Sequence, residues 1–403
     1  MIQVRALDLS ISFLFFTIII ISLFKISYST VFFFDTLRLI LSVIVLLLII
    51  ISLFKINFNK ELFFQLLLLF FLVIYGILLN FLNVTYYDLQ VNKEQIFFIS
   101  FSFFLTYFLL KINNYKELNN YNHVIFYLFL ILSLIFFTLK GYDFNNHRFN
   151  FDEETIDNNI SYAITYSPGL TKIFFLASIT SLYLLQEINI KKKLHIFFFY
   201  LAALIFFLFF GFQASARGEI LFGLIILLCM LFSNIKKNFI TLLILLLFLI
   251  VLSSNINYED LLVFRRFEMI FNNNLGLRLG LRDVFIKLSL NLLYNEPKCL
   301  ILGCGFSFFQ DYYGFDYGMY PHNLILEFVI TYGLFISIVI FSLVFIGLKN
   351  IIFSKPKILL IDIFVIYFFL IMLKSGTLIS LTNFPIIFYL IVKSKIKFNF
   401  KLN

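Results

Sequence analysis

Charge is what this chain has least of. Only 13% of its 403 residues are Asp, Glu, Lys or Arg, where a water-soluble domain carries about 25%. Cysteine is nearly as sparse, with three residues, and three do not make a disulfide framework. Cys229 sits inside an apolar run. Cys299 and Cys304 share one loop, where a bridge is open only if that loop lies outside the cytoplasm, so the chain is read mainly as unbridged. Tandem repeats, Gly/Ser linkers and a second polar domain are missing, so residues 1–403 read as a single integral domain. No metal-ligand spacing, phosphate-binding glycine loop, dinucleotide fingerprint or G-x-S-x-G motif occurs. That argues against nucleotide-driven and metal-dependent chemistry, and neither metal nor cofactor is expected.

What is there is apolar. Hydrophobic residues make up 62% of the chain and the mean hydropathy is +1.00. A bilayer core of ~30 Å takes ~20 apolar residues per helix, and such runs recur at 8–24, 37–54, 62–82, 95–110, 121–139, 161–185, 194–212, 218–234, 238–254, 322–347, 358–374 and 377–392. The ~10-residue alternating strands of a barrel are absent. The fold class is therefore an all-α polytopic membrane protein of about twelve transmembrane helices. The first run lacks a small-residue cleavage site and is expected to stay as an anchor.

The net charge of +9 does not point to nucleic acid, because the basic residues cluster at the ends of apolar runs. Arg5, Lys55, Lys60, Lys111, Lys116, Lys191–Lys193, Lys236, Lys237, Lys349–Lys357 and Lys393–Lys401 all fall on one side, which the positive-inside rule makes the cytoplasm. Both termini are then cytoplasmic, and the two longest loops, 140–160 and 255–320, face outward. Within the second, Leu261, Phe264, Phe267 and Phe271 recur at helical spacing, as in a helix lying on the membrane surface. A further helical pattern covers Leu277–Leu293, with Gly303-Cys304-Gly305 as a turn beyond it.

Polar candidates concentrate on that outer face. Arg217 opens a span after Ser215-Ala216. It is either an interfacial arginine snorkelling to headgroups or a guanidinium fork for a diphosphate, with a helix N-terminus beside it. Arg278 and Arg282 are four apart and share a helix face, either as solvated loop residues or as a second anion contact. Arg265 and Arg266 read as headgroup or substrate contacts. His322 follows Pro321 at the start of a late span, either as an interfacial residue after a proline start or as a base with a pKa near working pH. Asn323 and Glu327 share a face, and a carboxylate one turn into a span is costly without a partner.

Pro321-His322-Asn323 with Gly333, Ser215-Ala216-Arg217-Gly218, and Arg282…Phe285…Pro297…Gly303-Cys304-Gly305…Phe309 together resemble the motifs of the O-antigen polymerase/ligase (Wzy/WaaL-type) membrane glycosyltransferase superfamily. The resemblance covers about residues 211–340. Ile336 departs from the usual small residue or Tyr, and Phe285 stands where Trp is common; the chain has no Trp. The resemblance implies polymerisation of undecaprenyl-diphosphate-linked repeat units at the periplasmic face of the bacterial inner membrane, in lipopolysaccharide biosynthesis. It implies that Arg217 and Arg282, with Arg278, hold the leaving diphosphate, and that His322 positions or deprotonates the acceptor hydroxyl. It also implies a chain-length regulator as partner, beside membrane lipids. An O-antigen ligase differs only in acceptor. A lipid-linked oligosaccharide flippase would instead carry charge inside many spans.

Overall fold

The computed structural model describes residues 60–83, 119–140, 142–143, 148–149, 168–188, 193–214, 216–233, 235–255, 281–315, 320–353, 358–375, 378 and 383–394. The described residues are almost entirely helical. In chain order they form α1 (Lys60–Asn83), α2 (Asn119–Lys140), the two-residue antiparallel strands β1 (Tyr142–Asp143) and β2 (Arg148–Phe149), α3 (Pro168–Glu187), α4 (Leu194–Gln213), α5 (Arg217–Ser233) and α6 (Ile235–Asn255). There follow α7 (Leu281–Asn295), α8 (Pro297–Ile301), α9 (Phe308–Tyr313), α10 (Leu324–Phe353), α11 (Leu360–Ser375) and α12 (Asn383–Lys393). Every expected apolar run within the described residues is a helix. The runs 8–24, 37–54 and 95–110, and the surface helix expected over Leu261–Phe271, lie outside them.

Among the described residues, Gly169–Glu187, Leu194–Gln213 and Leu324–Phe353 are long and apolar enough to cross a membrane. Side-chain placement agrees with an apolar surrounding. Phe335, Val339, Phe345 and Phe353 on α10, and Phe198, Phe232 and Phe239 elsewhere, point outward and are exposed. In water such a surface would associate or aggregate; in lipid it costs nothing. Serine and threonine inside these helices satisfy their own hydroxyls: Ser178, Thr180 and Ser181 on α3 each donate to the carbonyl one turn back, at 2.7–2.9 Å. The protein is helical, with the apolar helices of a membrane protein.

Two compact units are distinguishable, residues 1–16, 40–115 and 279–403 in one, and 17–39 and 116–278 in the other. In the second, α3 is the centre. It packs along α4 and against α2 and α5, and Ile173 through Leu185 are nearly all buried. Phe126 of α2 sits edge-on to Tyr200 of α4 at 4.7 Å, and the Tyr200 hydroxyl lies 2.7 Å from His123 Nδ1. His123 is thus held in the packing of α2 against α4.

In the first unit, α10 is the centre and touches α1, α7, α8, α9, α11 and α12. Buried charge ties its C-terminal end together. Asp362 of α11 accepts from the Tyr389 hydroxyl at 2.6 Å and pairs with Lys393 at 3.4 Å. Asn350 of α10 donates to the carbonyls of Lys393 and Ser394, each at 3.0 Å. These bonds leave no carboxylate bare among apolar neighbours, a condition for burying one at all.

Candidate functional site

The candidate site lies at the other end of α10. Asn323 is its cap: Oδ1 accepts from the backbone N–H of Ile325 at 3.0 Å and of Leu326 at 3.2 Å, which satisfies donors the first helical turn leaves open. The helix therefore begins at Leu324 rather than at the Pro321-His322 pair. His322 cannot be helical, because its φ is 53°. Left-handed backbone costs an ordinary residue about 1–2 kcal/mol, and such strain concentrates where a side chain must be aimed. Here the aim is inward. The imidazole lies 4.0 Å from the Tyr320 ring and 5.4 Å from Phe285, centroid to centroid. Its Nδ1 is buried with no hydrogen-bond partner among the described residues.

Arg282 comes to the same place from the first turn of α7. It is partly buried, and among the described residues it has no ion pair or hydrogen bond. Its guanidinium is close enough to act on the imidazole: burial first, and the Arg282 charge second, push the His322 pKa down to about 4. The histidine is neutral at pH 7, beside a permanent cation. An anion bound by Arg282 would offset the repulsion and make the imidazole more basic. Arg282 and His322, expected to work together, are brought together.

Phe285 anchors the arrangement. It belongs to an apolar cluster with Leu292, Leu293, Cys299, Cys304, Phe308, Phe309, Val329 and Ile330, and it meets Phe309 and Phe315 edge-on. The Tyr313 hydroxyl donates to the Leu288 carbonyl at 2.8 Å, tying α9 to α7. Glu327, one turn into α10, is buried. Asp311 at α9 is half-buried, and burial pushes its carboxyl up to about 6.

Beneath the site lie one feature that the sequence left open and one that it did not show. Cys299 and Cys304 are joined by a disulfide, a correction to the mainly unbridged reading. Both are fully buried, and the α8 turn brings them together. The second is a break in α10. Gly333 has φ 80° and ψ 167°, a region open essentially only to glycine. The carbonyls released near the break are taken up across the chain: Cys304 N–H donates to Ile330 O at 2.7 Å, and Gly305 N–H to Thr331 O at 3.1 Å. Gly303, at φ 87°, lies directly against the backbone of Thr331–Gly333. The Gly303-Cys304-Gly305 turn with close backbone packing was legible; its partner was not.

In the second unit, Arg217 opens α5 and is partly buried. Ala216 N–H donates to Thr171 Oγ1 at 3.3 Å, joining the starts of α3 and α5. Glu219 is buried and interacts electrostatically with Lys172 of α3. Lys172 was missed in sequence, although a lysine inside an apolar run is a signal in itself. Arg265, Arg266 and Arg278 lie outside the described residues. Among the described residues no group of three or more His, Cys, Asp or Glu is placed to hold a metal ion.

A partly buried cation beside a neutral imidazole could hold an oxyanion and take up a hydroxyl proton. Set against known proteins, the chain matches no family model, no curated protein and no solved structure.

Proposed function

We propose that the chain is a membrane glycosyltransferase of the O-antigen polymerase type. It transfers a growing glycan from undecaprenyl diphosphate to a hydroxyl of a new lipid-linked repeat unit. The observation that carries the proposal is the pairing of Arg282 with a neutral His322 whose Nδ1 lacks a partner among the described residues. Arg282 binds the diphosphate as a bidentate cation. The bond from the sugar anomeric carbon to the diphosphate oxygen breaks, and the acceptor oxygen forms the new glycosidic bond. The hydroxyl proton passes to His322, whose affinity for it rises when the diphosphate offsets the Arg282 charge. The donor is already activated, so the step draws on no nucleotide.

The remaining parts of the proposal follow the motif resemblance and the charge pattern. The chain spans the bacterial inner membrane about twelve times, with both termini cytoplasmic, and the 255–320 loop opens on the periplasmic side. One observation supports that orientation: the Cys299–Cys304 disulfide suits an oxidising compartment. Arg217 is assigned to diphosphate binding by the resemblance alone. A chain-length regulator is the expected protein partner.

Deletion of the gene, with gel analysis of lipopolysaccharide, tests the proposal. Core carrying a single repeat unit is the polymerase result. Bare core with accumulated lipid-linked polymer would mean a ligase, and loss of all outward glycan intermediates a flippase.

A further inference from the structure

We infer that the Cys299–Cys304 disulfide closes a re-entrant hairpin whose backbone holds the break in α10, so that Cys299, Cys304 and Gly305 are positioning residues for His322. Its bearing on His322 rests on the transfer role proposed above; the docking of the hairpin does not.

Depth is the first consideration. Gly333 lies nine residues beyond Leu324, which at ~1.5 Å per residue is ~14 Å along the helix axis. In a span whose apolar part begins at Leu324, that is about half of a ~30 Å hydrocarbon core. Irregular backbone at such depth is tolerated only where other protein groups satisfy it. The hairpin supplies them. Cys304 and Gly305 donate to Ile330 and Thr331, Phe306 N–H donates to Gly76 O of α1 at 3.3 Å, and the Tyr75 hydroxyl donates to Leu302 O at 2.7 Å. The hairpin is thus bonded to α10 on one side and α1 on the other. Its outward residues, Leu300, Ile301 and Leu302, are exposed and apolar, as a segment re-entering lipid requires.

The short helical segment Leu324–Tyr332 is fixed at both ends, by the Asn323 cap above and by the hairpin below. His322 stands directly on the capped end. The disulfide joins the two residues that frame the hairpin tip, and its sulfurs lie in the same apolar cluster as Phe285, the residue against which the imidazole packs. Opening the bridge frees the tip, releases the carbonyls of Ile330 and Thr331, and loosens the wall behind His322.

The full chain in its own membranes is trapped with acid, denatured, and labelled with a maleimide–polyethylene glycol before and after phosphine reduction. One adduct is expected before reduction, on the free Cys229, and three after it; three before reduction would overturn the inference. Hydrogen–deuterium exchange of the purified full chain is then compared oxidised and reduced. Reduction is expected to speed exchange across 303–305 and 330–335 on the order of tenfold, while α3 and α4 hold their protection. The His322 pKa, followed by exchange of its ring C–H, is expected to move up from about 4. No change in either region on reduction would overturn the inference. Cys299→Ser/Cys304→Ser should show the same shifts without reductant, and Cys229→Ser none. If these shifts occur in a chain that transfers no glycan, the hairpin stands and the transfer role falls.

Discussion

Replacing Gly333 by alanine probes the least forgiving point of the fold. A Cβ there would run into the Ile301 carbonyl oxygen and stand 2.8 Å from the carbonyl carbons of Ile301 and Leu302, all backbone atoms that have no rotamer to retreat to. The backbone conformation itself, φ 80° and ψ 167°, costs a non-glycine residue about 1–3 kcal/mol. Relieving the clash moves the hairpin away and breaks the bonds from Cys304 and Gly305, at about 1 kcal/mol each. The sum is a loss of about 3–5 kcal/mol, a large share of an ordinary domain's stability. Gly314 serves as the control. It too is left-handed, at φ 65°, but nothing lies within 4 Å of an added Cβ, so Gly314→Ala should cost only about 1 kcal/mol. Unfolding of the full chain in detergent, followed by helical circular dichroism, measures both. A Gly333→Ala protein within about 0.5 kcal/mol of wild type would refute the docking of the hairpin on the break.

The cap, the imidazole and the buried ion pair each make their own prediction. Asn323→Ala removes a side-chain acceptor from two backbone donors and should cost about 1 kcal/mol, with Asn323→Ser restoring most of it. Arg282→Ala should raise the His322 pKa above about 4 yet leave it below 6.5, because burial, the larger cause, remains; nuclear magnetic resonance of the imidazole reads it. The unfolded chain binds the His322 proton more tightly than the folded one does, so this residue's contribution to stability grows as pH rises from about 4 to 6.5. The stability gap between wild type and His322→Asn should therefore widen in favour of wild type over that window. Asp311, raised to about 6, works the other way in both proteins and drops out of the comparison. Tyr389→Phe strips a 2.6 Å bond from a buried carboxylate and should cost about 1–3 kcal/mol, measured by the same unfolding titration.

Features set by local sequence were legible. Apolar runs became helices wherever the structure describes them, since length and composition alone decide that a segment is helical in lipid. The described part of the helical pattern over Leu277–Leu293 is α7, from Leu281 on, and the Gly-Cys-Gly turn is a tight backbone contact. Arg282 and His322 stood out in the sequence as polar residues in an apolar chain, and the structure places them near one another. What escaped was non-local. The break at Gly333 was not read from the glycine alone, because the backbone of Ile301 and Leu302 that lies against it is some thirty positions earlier. The left-handed backbone of His322 follows from the Asn323 cap and from ring packing on Phe285, neither of which spacing reveals. Lys172 was passed over inside an apolar run, and only its proximity to Glu219 shows why a lysine is tolerable there. Bridging of Cys299 and Cys304 turned on the side of the membrane they occupy, which sequence fixes only through the lysines of other loops.

Transfer itself is tested most directly by reconstitution. The full chain in liposomes is supplied with undecaprenyl-diphosphate-linked repeat units and no nucleotide, and lipid-linked products are separated by length. Wild type should build a ladder of polymers, and Arg282→Ala and His322→Ala, present in the bilayer at the same level, should leave the single repeat unit at least ~100-fold more slowly converted. An undiminished ladder from both variants, or no ladder from wild type with authentic substrate, would contradict the account.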